Sequence, residues 1–324
     1  MRTRAVLPLV LAALLALPGG TAMADGHVQT VVDFDPAAGE FPEGIATDPT
    51  GDLYVSLTFR DEIVKIAPGG NRTVVVTLDP GTRPAGLTVD ATGVVYAAAT
   101  ALELQAGRTD PALRGVVRVA RDGTASRLPG TEAMTLANDV TLDRRGTVYA
   151  TDTIDGAVWR IPRGGVAQLW AQHPLLEGNG AFGFGFPIGA NGIAIRHDRV
   201  VVANAEKGLL VSIPVQPDGS AGQPSILAES PALVGVDGIA LDVHGNIYAA
   251  SGIQNTVMRV LTDDGTIETL ATADDGLNQP STMTFGAGRR DNQHLFIANF
   301  SLFVSDPTPG VLTLPTDQPG QPGG

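Results

Sequence analysis

Cysteine is absent from this 324-residue chain. No disulfide can cross-link it and no thiolate can hold a soft metal, so an apolar core must carry the fold. A chain of this length can bury one within a single large domain. Basic charge is scarce: 21 Lys and Arg stand against 34 Asp and Glu, a formal net charge of −13. Such a surface repels nucleic-acid phosphates and anionic lipid heads, which argues against nucleic acid and membrane as partners. Long amphipathic helices are missing as well. With charged residues at 17% and 40 glycines, the chain reads as many short strands punctuated by Gly, Pro, Asn and Asp, the pattern of an all-β protein.

Long hydrophobic runs are confined to the N-terminus. Arg2 and Arg4 precede an apolar stretch from Ala5 to Leu17, followed by Pro-Gly-Gly and Ala22-Met23-Ala24. This is the layout of a secretory signal peptide, residues 1–24, cleaved before Asp25, and the run falls short of the roughly 20 residues of a membrane span. The mature chain is therefore expected to be exported, secreted or periplasmic, and to act as a monomer.

What is present in abundance is one repeated phrase. Residues 236–250 hold a short apolar strand (Ile239, Leu241), a tight turn from Asp242 to Gly245 and a second apolar strand (Ile247, Tyr248, Ala249). The phrase recurs as Glu-Gly-Ile-Ala-Thr-Asp-Pro-Thr-Gly-Asp-Leu-Tyr-Val from Glu43, and again from Ala85 and Asn138, with looser copies from Asn191 and Ser281. The repeat interval runs from 42 to 53 residues, close to the 40 to 50 or so of a four-stranded propeller blade. Each copy carries a third strand, such as Ile63 to Ile66 or Val257 to Val260, and five are followed by an outer strand. After Leu314 the Pro- and Gly-rich residues 316–324 cannot pair as a strand and are expected to be a disordered tail. The strand missing from the sixth copy lies at the other end of the chain, at residues 28–34. The expected fold is thus a six-bladed β-propeller over residues 25–315, all-β with antiparallel blades, closed by the N-terminal strand pairing into the last blade. Asp48, Asp90, Asp143 and Asp242 head type I turns and are expected to be structural.

Inner strands line the central channel of a propeller, so their first residues form a ring: Glu43, Ala85, Asn138, Asn191, Asp237 and Ser281. Four of the six, two carboxylates and two amides, are oxygen donors of the kind hard cations take. Two carboxylates buried together without a cation would repel one another, which favours a filled site. Taken singly, each is also a residue that channel water could satisfy.

With Glu43 in Pro-Glu-Gly, Asn138 in Ala-Asn-Asp, Asn191 in Ala-Asn-Gly and Asp237 in Val-Asp-Gly, the chain resembles the senescence marker protein, gluconolactonase and regucalcin-like propellers, the SMP-30/LRE-like family. The resemblance implies a divalent metal on the axis, commonly calcium, held by those four residues. The blade repeats alone are shared with non-catalytic NHL-type propellers. The histidine pair of paraoxonase-type relatives has no counterpart: His197 and His244 fall in far-side turns, and His173 belongs to a surface loop.

Two insertions fall at the ring end of the blades, Ala101 to Arg114 and Gln172 to Gly189. The second carries Phe182, Phe184 and Phe186 on a glycine-rich backbone, a lid suited to an apolar or acyl substrate if it overhangs the channel, or a patch packed on a blade if it does not. The ends of the second strands, Asp152, Asn204, Ser251 and Asn299, together with Ser281, are expected to add substrate-lining groups. The function these features imply is a calcium-dependent hydrolase of a lactone or related ester, a small-molecule substrate, with Asp237 or Asp152 activating water or Asp237 attacking directly. The competing reading is a ligand- or protein-binding propeller whose metal is structural.

Overall fold

Runs such as Leu53–Leu57 and Ile247–Ser251 are buried along their whole length, because each lies in a sheet pressed between two neighbouring sheets. Period-two alternation of core and solvent faces therefore disappears near the axis and returns only at the periphery, where Val74, Leu169 and Ile226 stand exposed. A computed structural model describes residues 27–103 and 108–321 of the protein. It contains six four-stranded antiparallel sheets, joined one after the next in the order of the repeats.

The inner strands are Pro42–Thr47, Pro84–Val89, Ala137–Leu142, Ala190–Arg196, Val236–Leu241 and Pro280–Phe285. Each packs on the inner strand of the next blade, and the sixth packs on the first, so the ring is closed. The expected closure holds: the sixth sheet is completed by Gln29–Asp33 alongside Gly310–Pro315, with Gln29 opposite Thr313 and Asp33 opposite Gly310. Six apolar clusters occupy the six blade junctions. The one that seals the ring gathers Phe34, Val55, Leu57, Ala298 and Val311 from blades 1 and 6. With no disulfide available, these junctions carry the stability, each fully buried Val or Leu contributing about 1.5–3 kcal/mol.

The turns joining inner to second strands form as expected. Asp242 Oδ1 accepts from the amides of His244 at 2.8 Å and Asn246 at 2.9 Å, and the Gly245 amide donates to the Asp242 carbonyl at 3.0 Å. Gly245 closes this turn at φ 89°, a left-handed conformation that favours glycine. Asp48, Asp90 and Asp143 accept from two turn amides each in the same way.

The C-terminal tail departs from expectation. Residues 316–321 form no strand but are fixed by single hydrogen bonds: the Val243 amide donates to the Pro319 carbonyl, the Gly320 amide to Asn292 and the Gln321 amide to Leu241. Asp317 pairs with the buried Arg259. Proline prevents ladder formation without preventing these isolated contacts, so a segment unfit for a sheet is still held against the ring. The expected export segment, residues 1–24, and residues 322–324 lie outside the described residues, as do residues 104–107 of the first insertion.

Candidate active site

Every inner strand is irregular at its beginning. Pairing with the second strand skips between Pro42 and Ile45, Pro84 and Leu87, Ala137 and Val140, Ala190 and Ile193, and Val236 and Ile239, with a shorter skip at Pro280 and Thr282. Such a bulge frees two consecutive residues from the ladder and re-aims them. The first of the two is the ring residue. The second comes so close to the next blade that a Cβ has no room: on Gly192 it would lie 2.2 Å from the Asp237 carbonyl oxygen, and on Gly238 1.9 Å from Thr282 Oγ1. Glycine holds this position in blades 1, 2, 4 and 5, but blade 3 places Asp139 there.

Hydroxyls lock the bulges to one another. Ser56 Oγ accepts from the Gly44 amide at 2.7 Å and donates to the Ala85 carbonyl at 2.8 Å. Thr151 Oγ1 does the same between the Asp139 amide and the Asn191 carbonyl, at 3.1 and 2.7 Å. Ser281 Oγ donates to the Glu43 carbonyl at 2.6 Å, tying blade 6 to blade 1.

Within this frame Glu43, Asp139, Asn191 and Asp237 form one electrostatic cluster. Burial, and then repulsion from Asp237 and Asp139, hold the Glu43 carboxyl well above the ordinary glutamate range. Asp237 is raised by burial and by the Asp139 charge, an effect the Asn191 side-chain amide partly offsets. Burial pushes Asp139 up to about 7, against the amides of Ile193 and Val140, which donate to its two oxygens at 3.0 and 2.8 Å. Glu43, Asp139 and Asp237 are each half-buried as whole residues. Glu43 Oε2 and Asn191 Oδ1 are buried without any hydrogen-bond partner. Among the described residues no three His, Cys, Asp or Glu side chains form a preassembled metal cluster; the groups that meet here are carboxyls together with the Asn191 amide. Orphaned acceptors and mutually repelling carboxyls suit a hard cation.

Three of the four expected ligands, Glu43, Asn191 and Asp237, thus belong to the cluster, and Asn138 sits half-buried beside Asp139 in the blade 3 bulge. Asp139 itself was missed. Its signal was a carboxylate standing where four other copies carry glycine.

The strand-end residues expected to line the substrate site are bound to backbone. Both Asp152 oxygens accept backbone amides of its own blade, Thr135 at 2.8 Å and Leu136 at 3.0 Å, so it fastens the loop leading into the inner strand and is no free base. Burial still raises its carboxyl, with those amides opposing. Asn204 binds the carbonyls of Leu175 and Glu177, Ser251 that of Val234, and Asn299 those of Gly276 and Thr308. All four are loop fasteners, and Ser281 is a latch between blades. Polar side chains at strand ends are consumed here by the connection that enters the neighbouring strand.

The phenylalanine loop is placed by a residue the sequence reading did not single out. Glu206, buried, accepts from the amides of Asn179 at 2.5 Å, Gly180 at 2.6 Å and Phe182 at 3.2 Å. The Phe184 ring meets Phe186 at 6.4 Å and Phe303 of blade 6 at 6.3 Å between centroids. His173 stays peripheral, its Nδ1 accepting from the Leu175 amide.

The sequence signature described as SMP-30/Gluconolactonase/LRE-like region matches residues 133–301. The chain belongs to this family. The matched stretch of this SMP-30/gluconolactonase-like protein takes in Asn138, Asp139, Asn191 and Asp237 and leaves Glu43 outside it. Among solved structures, a gluconolactonase from Xanthomonas campestris shares 21% identity at a TM-score of 0.67, covering 91% of this chain and 90% of its own. A calcium-binding regucalcin from Agrobacterium tumefaciens shares 15% at 0.65, covering 91% and 95%. A luciferin-regenerating enzyme shares 14% at 0.69, covering 92% and 98%. At these identities the likeness is one of fold. Among curated proteins no sequence matches the chain. Membership in a gluconolactonase-like family supports a lactonase-type function on a small-molecule substrate.

Proposed function

We propose that the protein is an exported, calcium-dependent hydrolase of a lactone or related ester, with its active site at the ring end of the propeller channel. The observation that carries this reading is the axial cluster, where two buried acceptors, Glu43 Oε2 and Asn191 Oδ1, lack partners beside carboxyls that repel each other. Glu43, Asn138, Asn191 and Asp237 would hold the cation. The calcium bound by the regucalcin of similar fold is consistent with that choice, and the layout of residues 1–24 supports export.

When bound, a divalent cation in such a site supplies Lewis-acid polarisation of the acyl carbonyl. The chain's own residues do the rest. Asp237, at the axis and steadied by the Asn191 amide, takes a proton from water as the water oxygen adds to the acyl carbon. The acyl–oxygen bond then breaks and the proton passes to the departing alkoxide, so that a lactone yields a hydroxy acid and an open ester an acid and an alcohol. Asp139 keeps both oxygens on backbone amides of Val140 and Ile193, so it holds blade 3 against blade 4 and places negative charge beside Asp237. Packing at Gly192 and Gly238 is too close to admit a Cβ, which limits how far neighbouring blades, and the groups they carry, can shift.

Chelation of the mature protein should abolish hydrolysis of a panel of lactones and aryl esters, and calcium should restore it. Full activity in the chelated protein would rule out the metal-dependent reading. If calcium raised the melting temperature without any turnover on the panel, the cation would instead be a structural tie among the blades.

A further inference from the structure

Six phenylalanines from three blades touch in sequence around the ring end of the channel. Phe186 stacks on Phe184, which meets Phe303; Phe303 meets Phe300 at 6.3 Å, Phe300 meets Phe41 at 6.5 Å and Phe41 meets Phe59 at 6.0 Å. The arc ends where the Arg83 guanidinium covers the Phe59 ring at 5.1 Å. Every one of these residues enters an inner strand or follows a second strand, the end of the blades that carries the axial cluster. Phe41 is two residues from Glu43. Phe184 and Phe303 come from blades 4 and 6, which are not neighbours, so their contact bridges blade 5. Both remain exposed, at 47% and 57%.

Polar groups at the ends of the second strands show the opposite economy. The six equivalent second-strand ends are Leu57, Ala99, Asp152, Asn204, Ser251 and Asn299. The first two are apolar and the other four are taken up by backbone of the adjoining loops. A polyhydroxylated substrate needs unpaired donors and acceptors to replace the water its hydroxyls lose, and these positions offer none. An apolar substituent needs only greasy surface held in place, and Glu206 fastens the start of the loop that carries Phe184.

Resting on the hydrolase reading above, we propose that the phenylalanine arc is an acyl-recognition rim and that the substrate is a lactone or ester bearing an extended alkyl or aryl group, not a sugar lactone. Phe184 and Phe303 determine that specificity. Glu206 is a positioning residue that acts through the loop.

The test uses the mature, calcium-loaded protein with γ-lactones whose alkyl group lengthens from methyl to octyl, with glucono-δ-lactone beside them. In parallel, calorimetry measures binding of the matching γ-lactams, which bind without being hydrolysed. Each methylene that reaches the rim should raise kcat/KM and lactam affinity about threefold to fourfold, and the Phe184→Ala/Phe303→Ala double variant should flatten both slopes with its melting temperature retained. Hydrolysis that ignores chain length or favours glucono-δ-lactone overturns the rim and leaves the hydrolase standing. Lactam affinity that climbs with chain length and flattens in the variant, with no lactone turned over, keeps the rim and removes the hydrolase. Lactam affinity independent of chain length overturns the proposal whatever the turnover.

Discussion

The two ends of the inner strands use the same side chain to opposite effect. At the far end, Asp48, Asp90, Asp143 and Asp242 sit in tight turns, and each spends its carboxylate on amides two and four residues onward. At the near end, Asp237 and Glu43 face the axis, with Glu43 Oε2 bound to nothing and both carboxyls raised. Asp242, in the turn, is the more deeply buried of the two, so burial by itself does not mark a site. Partnership does. A carboxylate whose oxygens are filled by local backbone is a piece of architecture, while one left short of donors is a site waiting for a cation, a proton or a substrate.

The sharpest way to break that contrast is to neutralise one carboxylate at each end. Asp237→Asn should cost about 100-fold or more in kcat, the contribution of a general base, while the protein still melts cooperatively. Asp242→Ala should leave kcat alone and cost about 1–3 kcal/mol of stability by stranding the turn amides. Equal losses of activity in the two variants would erase the distinction between the ends. Next in size is Gly192→Ala, whose Cβ would press on the Asp237 carbonyl oxygen from 2.2 Å. It should cost about 1–3 kcal/mol in overpacking and lower kcat as well; a stable, fully active variant would mean that the bulge spacing is soft.

The smallest effect is one of linkage. Asp139, Asp237 and Glu43 all have folded-state values above their unfolded ones. The folded state therefore binds more protons than the unfolded chain between about pH 4 and pH 7. The metal-free protein should lose stability as pH rises through that window, in the opposite sense to a carboxylate held low by an ion pair. Calcium, which favours the ionised forms, should raise the melting temperature more at pH 8 than at pH 5. A calcium-induced shift of the same size at both values would place the cation away from the cluster.

Much of the wheel was legible in the chain because its repeats announce themselves. The phrase around Asp242 fixed the number of blades, and the unpartnered strand at residues 28–34 fixed the closure. Glu43, Asn191 and Asp237 could be aligned because each opens its copy of the phrase. Asp139 could not be found by counting one residue per blade, since a bulge turns two residues out of the ladder and only its substitution for glycine betrays the second. Asp152, Asn204, Ser251 and Asn299 looked like a polar lining because the sequence does not show which loop will consume a strand-end side chain. The meeting of Phe184 with Phe303 was hidden for a related reason: each belongs to a loop whose course depends on anchors elsewhere, Glu206 for one and Gln279, whose Oε1 accepts from the Phe303 amide, for the other.

The seal between Gln29–Asp33 and Gly310–Pro315 also sets an order in time. Gln29–Asp33 leaves the ribosome long before Gly310–Pro315 and has to wait for it before the wheel can lock, so the ring stays open through most of synthesis. Premature termination anywhere before Gly310 leaves blade 6 without its third strand and Gln29–Asp33 without a partner, which hands quality control a free edge by which to recognise an unfinished molecule.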